Sequence, residues 1–265
     1  MTGGLRIVLV IDETPLLHPA FVRDIVEGLA PGDRIVGALR VTRIPASSNI
    51  EHYFKRNLHR FRPGELAGLA AQRLAPVILE HLPRQAQSGR DYSVRHVFDR
   101  LGIRHVDAKD QLNDGAAVEF VEQMQPDVIV SSNSLIFGPR MLQAARLGAI
   151  NRHSALLPAY GGILPVFHAV ARGERETGVS VHMMTPRIDR GTVLAQWSTP
   201  IAAGDTLWTL YARCFGASAQ LVHAALDRLR TGDLSGLPAR YPPSYFSFPT
   251  AEDWRGFRRH GGRFI

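Results

Sequence analysis

Asn151 and His153 stand two residues apart in the segment Asn151-Arg-His-Ser-Ala-Leu-Leu-Pro, and Asp189 precedes a turn glycine in Ile188-Asp-Arg-Gly191. An amide, an imidazole and a carboxylate are groups that donate hydrogen bonds and move protons. In an extended backbone, residues two apart share a face, so Asn151 and His153 can point into one pocket. Each feature alone has an ordinary structural reading: a satisfied histidine at a strand end, and an aspartate capping a turn.

The elements that must position these residues follow an alternation of strand and helix. Ile7 to Ile11 and Ile35 to Val41 are continuous apolar runs of the kind that parallel strands make when helices cover both faces. Pro15 to Leu29 reads as the helix between them. After a break at residues 51–90, the rhythm resumes with helix Val94 to Leu101, strand Ile103 to Val106, helix Ala116 to Met124, strand Asp127 to Val130 and helix Pro139 to Leu147. The short strand Ala149-Ile150 then delivers Asn151, Arg152 and His153 to the sheet edge at which the polar loop Ser131-Ser-Asn-Ser134 also emerges. Ligands of open α/β sheets bind beyond the carboxyl ends of strands. The break carries two helical segments, Glu51 to Phe61 and Glu65 to Leu82, and reads as an insertion whose first helix, basic and aromatic, is expected to be a solvated amphipathic one.

Composition narrows the chemistry. No G-x-G-x-x-G follows the first strand and no G-x-x-x-x-G-K-[ST] occurs, so phosphate binding by a nucleotide loop has no sequence basis. The 11 histidines show no metal-ligand spacing, and no metal is expected. Of these, His182 is expected to pack or hydrogen-bond behind the site, and His168 to lie on the helix after Pro165. Cys214 is a single cysteine, which suits a reducing compartment, and no run nears the roughly 20 apolar residues of a membrane span. We therefore expect a cytoplasmic protein without membrane contact, and self-association is left open. The net charge of +7 comes almost wholly from arginines scattered among alanines, since Lys55 and Lys109 are the only lysines. A nucleic-acid partner is not expected from such dispersal.

The order and spacing of Asn151-x-His153, Leu156-Leu-Pro158, Gly178-Val-Ser-Val-His182, Ile188-Asp-x-Gly191 and Val193-Leu-Ala-Gln196 closely resemble the formyltransferase family that uses 10-formyltetrahydrofolate. That family includes glycinamide ribonucleotide, methionyl-tRNA and amino-sugar formyltransferases. The resemblance runs from about Asp127 to Ile201. It implies an α/β fold with a Rossmann-like parallel sheet, mixed at the edge, a catalytic domain over 1–204 with the insertion at 51–90, and a helix and tail over 205–265. It also implies catalytic roles for Asn151, His153 and Asp189: the first two donate to the oxygen that gathers charge, and Asp189 stabilises the imidazolium and relays the amine proton. The folate is implied to sit against backbone groups of Ser134, Leu135, Ile136 and Phe137, and of Arg187, Ile188 and Asp189. The partners implied are folate and a small amine: an amino sugar, a hydroxyornithine-type amine or a ribosyl amine. A methionyl-tRNA formyltransferase-like enzyme and a folate-binding protein without transfer activity are the alternatives. Where many relatives carry Arg before the last glycine of the Leu-Leu-Pro loop, this chain has Gly161. The tail from Tyr241 to Ile265 is too short for an RNA-binding barrel.

Overall fold

The apolar runs become the buried centre of one sheet in the computed structural model, which describes residues 3–45, 49–80, 91–109, 111–113 and 115–265. The strands are β1 (Arg6–Asp12), β2 (Arg34–Val41), β3 (His105–Ala108), β4 (Val128–Ser132), β5 (Ala149–His153), a two-residue β6 (Gly161–Gly162), β7 (Glu176–Met183) and β8 (Val193–Pro200). Among the described residues seven of them form a sheet in the order β3-β2-β1-β4-β5-β7-β8. From β3 through β5 neighbouring strands pair in parallel, whereas β7 and β8 join antiparallel. Because the chain runs outward from β1 in one direction and from β4 in the other, the topology reverses between these two strands. A crevice at their carboxyl ends is the consequence.

Alternate residues of each strand feed two cores. Ile7, Leu9, Ile11, Val128, Val130 and Ile150 pack on the face covered by α1 (Leu17–Glu27), α4 (Val94–Arg100) and the long α8 (Leu207–Thr231). Val8, Val10, Ile129 and Ala149 pack on the opposite face against α5 (Gly115–Gln123) and α6 (Pro139–Gln143). Helix α8 starts at a reciprocal cap between Thr206 and Thr209 and ends at Gly232, whose left-handed conformation closes the last turn.

A third, mostly aromatic core joins three distant segments. Phe167 of α7 (Pro165–Ala171) stacks on Phe257 of α9 (Ala251–Arg259) at 4.4 Å, and Phe61 and Phe264 pack against the same group. Tyr53 and Phe54 of α2 (Ile50–Arg56) and Leu66 and Leu69 of α3 (Pro63–Glu80) lean on it. Glu65 is buried here, paired with Arg258 at 2.6 Å and accepting the Phe264 N–H at 3.1 Å. Insertion and tail thus share one core, and the aromatic side of α2 is packed rather than solvated.

Among the element boundaries that differ from the sequence reading, three have a clear local reason. The first insertion helix ends at Arg56, where Asn57 caps it and a 3-10 turn, Leu58–Arg60, follows. Strand β3 starts at His105 because the Ile103 N–H still closes the end of α4 on the Phe98 carbonyl. Helix α6 stops at Gln143 because the N–H groups of Arg146 and Leu147 bond back to Pro126 and Asp127. The expected end of the second insertion helix at Leu82 lies outside the described residues. No helix among the described residues is long and apolar enough to cross a membrane.

Candidate functional site

Strand β5 carries Asn151 and His153 on the α5/α6 side of the sheet, in phase with Ala149, at the carboxyl end of the sheet. Across the antiparallel pair, Asn151 stands opposite His182 and His153 opposite Ser180. Residues directly opposite place their side chains within contact range. The pairing of β7 with β8 slips between Val181 and His182, a bulge next to the site of the kind that re-aims a side chain. Asn151 Nδ2 lies 3.4 Å from His182 Nε2, and His182 Nδ1 lies 2.9 Å from the Met183 carbonyl. An N–H on Nδ1 meets the Met183 carbonyl, which leaves Nε2 facing both the Asn151 amide and the Asp189 carboxylate. His182 therefore hydrogen-bonds as expected, but within the site rather than behind it.

Asp189 arrives from the β7–β8 loop in a left-handed conformation with φ 53°. Its carboxylate is not spent on its own turn: Oδ2 accepts the Gly162 N–H at 2.8 Å and lies 3.8 Å from His153 Nδ1, and Oδ1 lies 3.6 Å from His182 Nε2. Burial opposes its charge, but His153, His182 and the Gly162 N–H outweigh that and hold the carboxyl well below the usual aspartate range. His153 Nε2 sits 3.0 Å from the Tyr160 carbonyl. One ring nitrogen is thus anchored while the other faces the carboxylate at a distance a ligand atom can share.

The loop that holds the Tyr160 carbonyl is itself held by the tail. A short strand β9 (Tyr245–Phe246) pairs in parallel with β6. Tyr160 N–H donates to Ser244 Oγ at 2.8 Å, Gly161 N–H to the Ser244 carbonyl at 3.1 Å, and Ile163 N–H to the Phe246 carbonyl at 2.8 Å. This explains the departure at Gly161. A Cβ there would lie 3.2 Å from Asp189 Cβ and 3.3 Å from the Tyr245 ring, so the tail occupies the space that a longer side chain would take.

These residues line a cavity of about 310 Å³ beyond the carboxyl ends of β1, β4 and β5. Ser134, Leu135, Ile136, Phe137, Asn151, His153, Ile188 and Asp189 all face it. Arg187 does not: its exposed side chain lies outside, and its carbonyl accepts from Thr185 Oγ1. The cavity also includes residues that the sequence reading passed over. Asp12, at the end of β1, accepts from the Ser134 N–H at 3.2 Å and the Ser134 hydroxyl at 2.6 Å, and burial pushes its carboxyl up to about 6. His18, buried between Thr14 and the Ser132 hydroxyl, is pushed down to about 3 by burial and by the nearby Arg152. Position at a strand end was the available signal for Asp12. Tyr245 offered none, since only the fold brings the tail to the site. Among the described residues no three His, Cys, Asp or Glu side chains gather as a metal site.

Comparison with known proteins agrees with the fold. The family model described as "Formyl transferase" matches residues 83–226, more than half of the chain. A methionyl-tRNA formyltransferase from Chlorobium luteolum is 36% identical over 139 residues, which cover 52% of this chain and 44% of that protein. The chain therefore spans less than half the length of this curated relative. Among solved structures, glycinamide ribonucleotide transformylase 1 from Symbiobacterium toebii superposes with a TM-score of 0.60 at 17% identity, covering 88% of this chain and 90% of that one. The N-formyltransferase from Helicobacter canadensis, in complex with folinic acid and dTDP-3-aminofucose, superposes with a TM-score of 0.57 at 14% identity, covering 96% and 79%. At these identities the superpositions establish the fold, and the family match establishes descent: the chain belongs to the formyl transferase family.

Proposed function

We propose that this protein transfers the formyl group of 10-formyltetrahydrofolate to the amine of a small acceptor, with Asn151, His153 and Asp189 as its catalytic residues. The observation that carries this reading is the meeting of His153 and Asp189, 3.8 Å apart, beside an Asn151 amide that faces His182, all inside one cavity. The residues fit the folate. Ser134 to Phe137 offer backbone groups along one wall, and Ile136 and Ile188, 61% and 42% exposed, give apolar surface at the mouth against which a flat ring can lie. Arg187 can take part through its backbone only.

The folate supplies an electrophilic formyl carbon: its oxygen gains negative charge as an amine adds, and when the adduct collapses the bond to the folate nitrogen breaks and that nitrogen leaves with a proton, balancing the one the amine sheds. Asn151 has two amide N–H groups, and with one directed at His182 the other is available to that oxygen. His153, anchored through Nε2, presents Nδ1 toward the same space. Asp189 stays ionised through the neutral range, so its first task is electrostatic: it attracts the proton that the attacking nitrogen sheds.

The test mixes purified protein with 10-formyltetrahydrofolate and a panel of small amines, following tetrahydrofolate release and acceptor mass. Asn151→Ala and Asp189→Asn should each lower kcat by roughly 100-fold or more, while the dissociation constant for 5-formyltetrahydrofolate stays within a few-fold. A near-wild-type rate in either variant refutes the assignment. The methionyl-tRNA reading keeps one specific support, the 36% identity with a protein of that name. We favour a small acceptor because Asn151, His153 and Asp189 line a cavity of about 310 Å³, the scale of small-molecule sites.

A further inference from the structure

Arg152 sits between the two catalytic positions of β5 but faces the other way, into the side of the sheet covered by α8. It is 8% exposed and makes no ion pair among the described residues. Its Nε donates to Ser218 Oγ at 2.9 Å, its guanidinium carbon lies 3.7 Å over the Phe215 ring, and its Nη2 has no hydrogen-bond partner. Burial lowers its pKa only to about 10, so it is a cation throughout the neutral range. Ser154, two residues on and 4% exposed, likewise has a hydroxyl without a partner. Both residues line the cavity, together with Tyr211, whose phenol oxygen accepts the Val166 N–H. The positions on α8 that meet Arg152 are Phe215 and Ser218, one helical face that also carries Tyr211.

A buried guanidinium without a counter-charge is costly, and the cost is relieved when an anion pairs with it. The carboxylates of the cavity do not supply one. Asp12 is bound to Ser134 and Asp189 to Gly162, and His18 is neutral. Guanidinium groups favour oxyanions, which accept two parallel hydrogen bonds from the fork. Ser154 and Tyr211 add neutral hydroxyls to the same wall.

We propose that Arg152, Ser154 and Tyr211 form an oxyanion subsite that receives the carboxylate or phosphate of the formyl acceptor, whose amine then lies toward Asn151, His153 and Asp189. This rests on the formyl-transfer reading given above. The subsite selects amines that carry an anionic oxygen group and leaves uncharged amines without a partner for Arg152.

Isothermal titration of the full chain with inorganic phosphate, and separately with acetate, at ionic strength held constant with chloride, tests the subsite without any turnover. One saturable site is expected for at least one of the two anions, and the stronger binder identifies the group. Arg152→Met should weaken that binding at least tenfold, and Ser154→Ala by a few-fold. Arg152→Lys, which keeps the charge but not the fork, serves if the methionine variant does not fold, and should bind between the two. Absence of saturable binding of either anion, or equal affinity in the Arg152 variants and wild type, overturns the subsite. Titration of the same samples with 5-formyltetrahydrofolate separates the two readings. Folate binding without anion binding removes the subsite alone, whereas Arg152-dependent anion binding without folate binding overturns the assignment of the anion to a formyl acceptor.

Discussion

Two aspartates in one cavity are driven in opposite directions, and the difference lies in what each faces. Asp189 meets two imidazoles and an N–H, whereas Asp12 meets only Ser134, and burial wins there. In an unfolded chain a carboxyl ionises near pH 4. Folding raises the Asp12 value to about 6, so the stability this group contributes is complete below pH 4 and is lost as pH rises through 6. Asp12→Asn keeps an acceptor for the Ser134 N–H and cannot ionise. The variant should therefore exceed wild type by up to about 3 kcal/mol at pH 8, with the advantage shrinking toward pH 4, as read by urea denaturation across that range. A constant difference at all pH values refutes the account. Asp189 has the reverse sign: its depressed value contributes stability above the ordinary carboxyl range that fades as the solution is acidified, and Asp189→Asn should flatten that acid limb. In the sequence, Asn151, His153 and Asp189 were legible because they recur in an ordered set of motifs. Arg152 sat inside the same motif and went unread, since its importance lies in the lack of a partner, which only packing reveals.

At the scale of elements, the strands were the most legible part. A strand buried on both faces must be a continuous apolar run, and Ile7–Ile11 of β1 and Val128–Val130 of β4 are such runs. The reach of β5 to His153 and the shortness of α6 were less so, because hydrogen bonds from neighbouring strands and loops decide those ends. The pairing of β6 with β9 was not legible at all. It depends on Gly162, whose φ of 97° and close approach leave a Cβ only 2.0 Å from the Phe246 carbonyl. Gly162→Ala should therefore lower stability by about 1–3 kcal/mol. It should also reduce kcat through the Tyr160 carbonyl that anchors His153, an effect checked by denaturation and by steady-state rates on the same preparation. Deeper in the shared core, Phe257 is fully buried, and Phe257→Ala should cost about 3–5 kcal/mol, with the loss read from the midpoint of chemical denaturation.

Across the whole molecule, the positive charge is divided into local ion pairs rather than gathered. Arg40 holds Glu13 and Asp107, Arg100 holds Asp91, Arg230 holds Asp33 and Arg258 holds Glu65, each in a different part of the fold. Dispersal of this kind was visible in the sequence, though the pairings were not. A polyanionic acceptor such as tRNA would release a counterion for each phosphate neutralised, so its formylation would fall steeply with salt. Transfer to a small amine should change by less than about tenfold in kcat/KM between 50 and 200 mM salt. A fall of a thousandfold, with charged initiator tRNA as the preferred acceptor, would reverse the choice of acceptor and leave the folate chemistry in place. The union of insertion, loop and tail in one core has a consequence in time. Ser244, which fixes Tyr160, is 84 residues further along the chain. At ribosomal speeds of about 5–20 residues per second, that interval lasts roughly 4–17 s. Over about the second half of it, once β8 has ended at Pro200, the sheet, His153 and the Asp189 turn have all been made, yet the carbonyl that anchors the histidine ring has no support. The proposed catalytic arrangement is thus completed late in synthesis, and a nascent chain halted before Ser244 would hold Asn151, His153 and Asp189 without the brace that sets one of them.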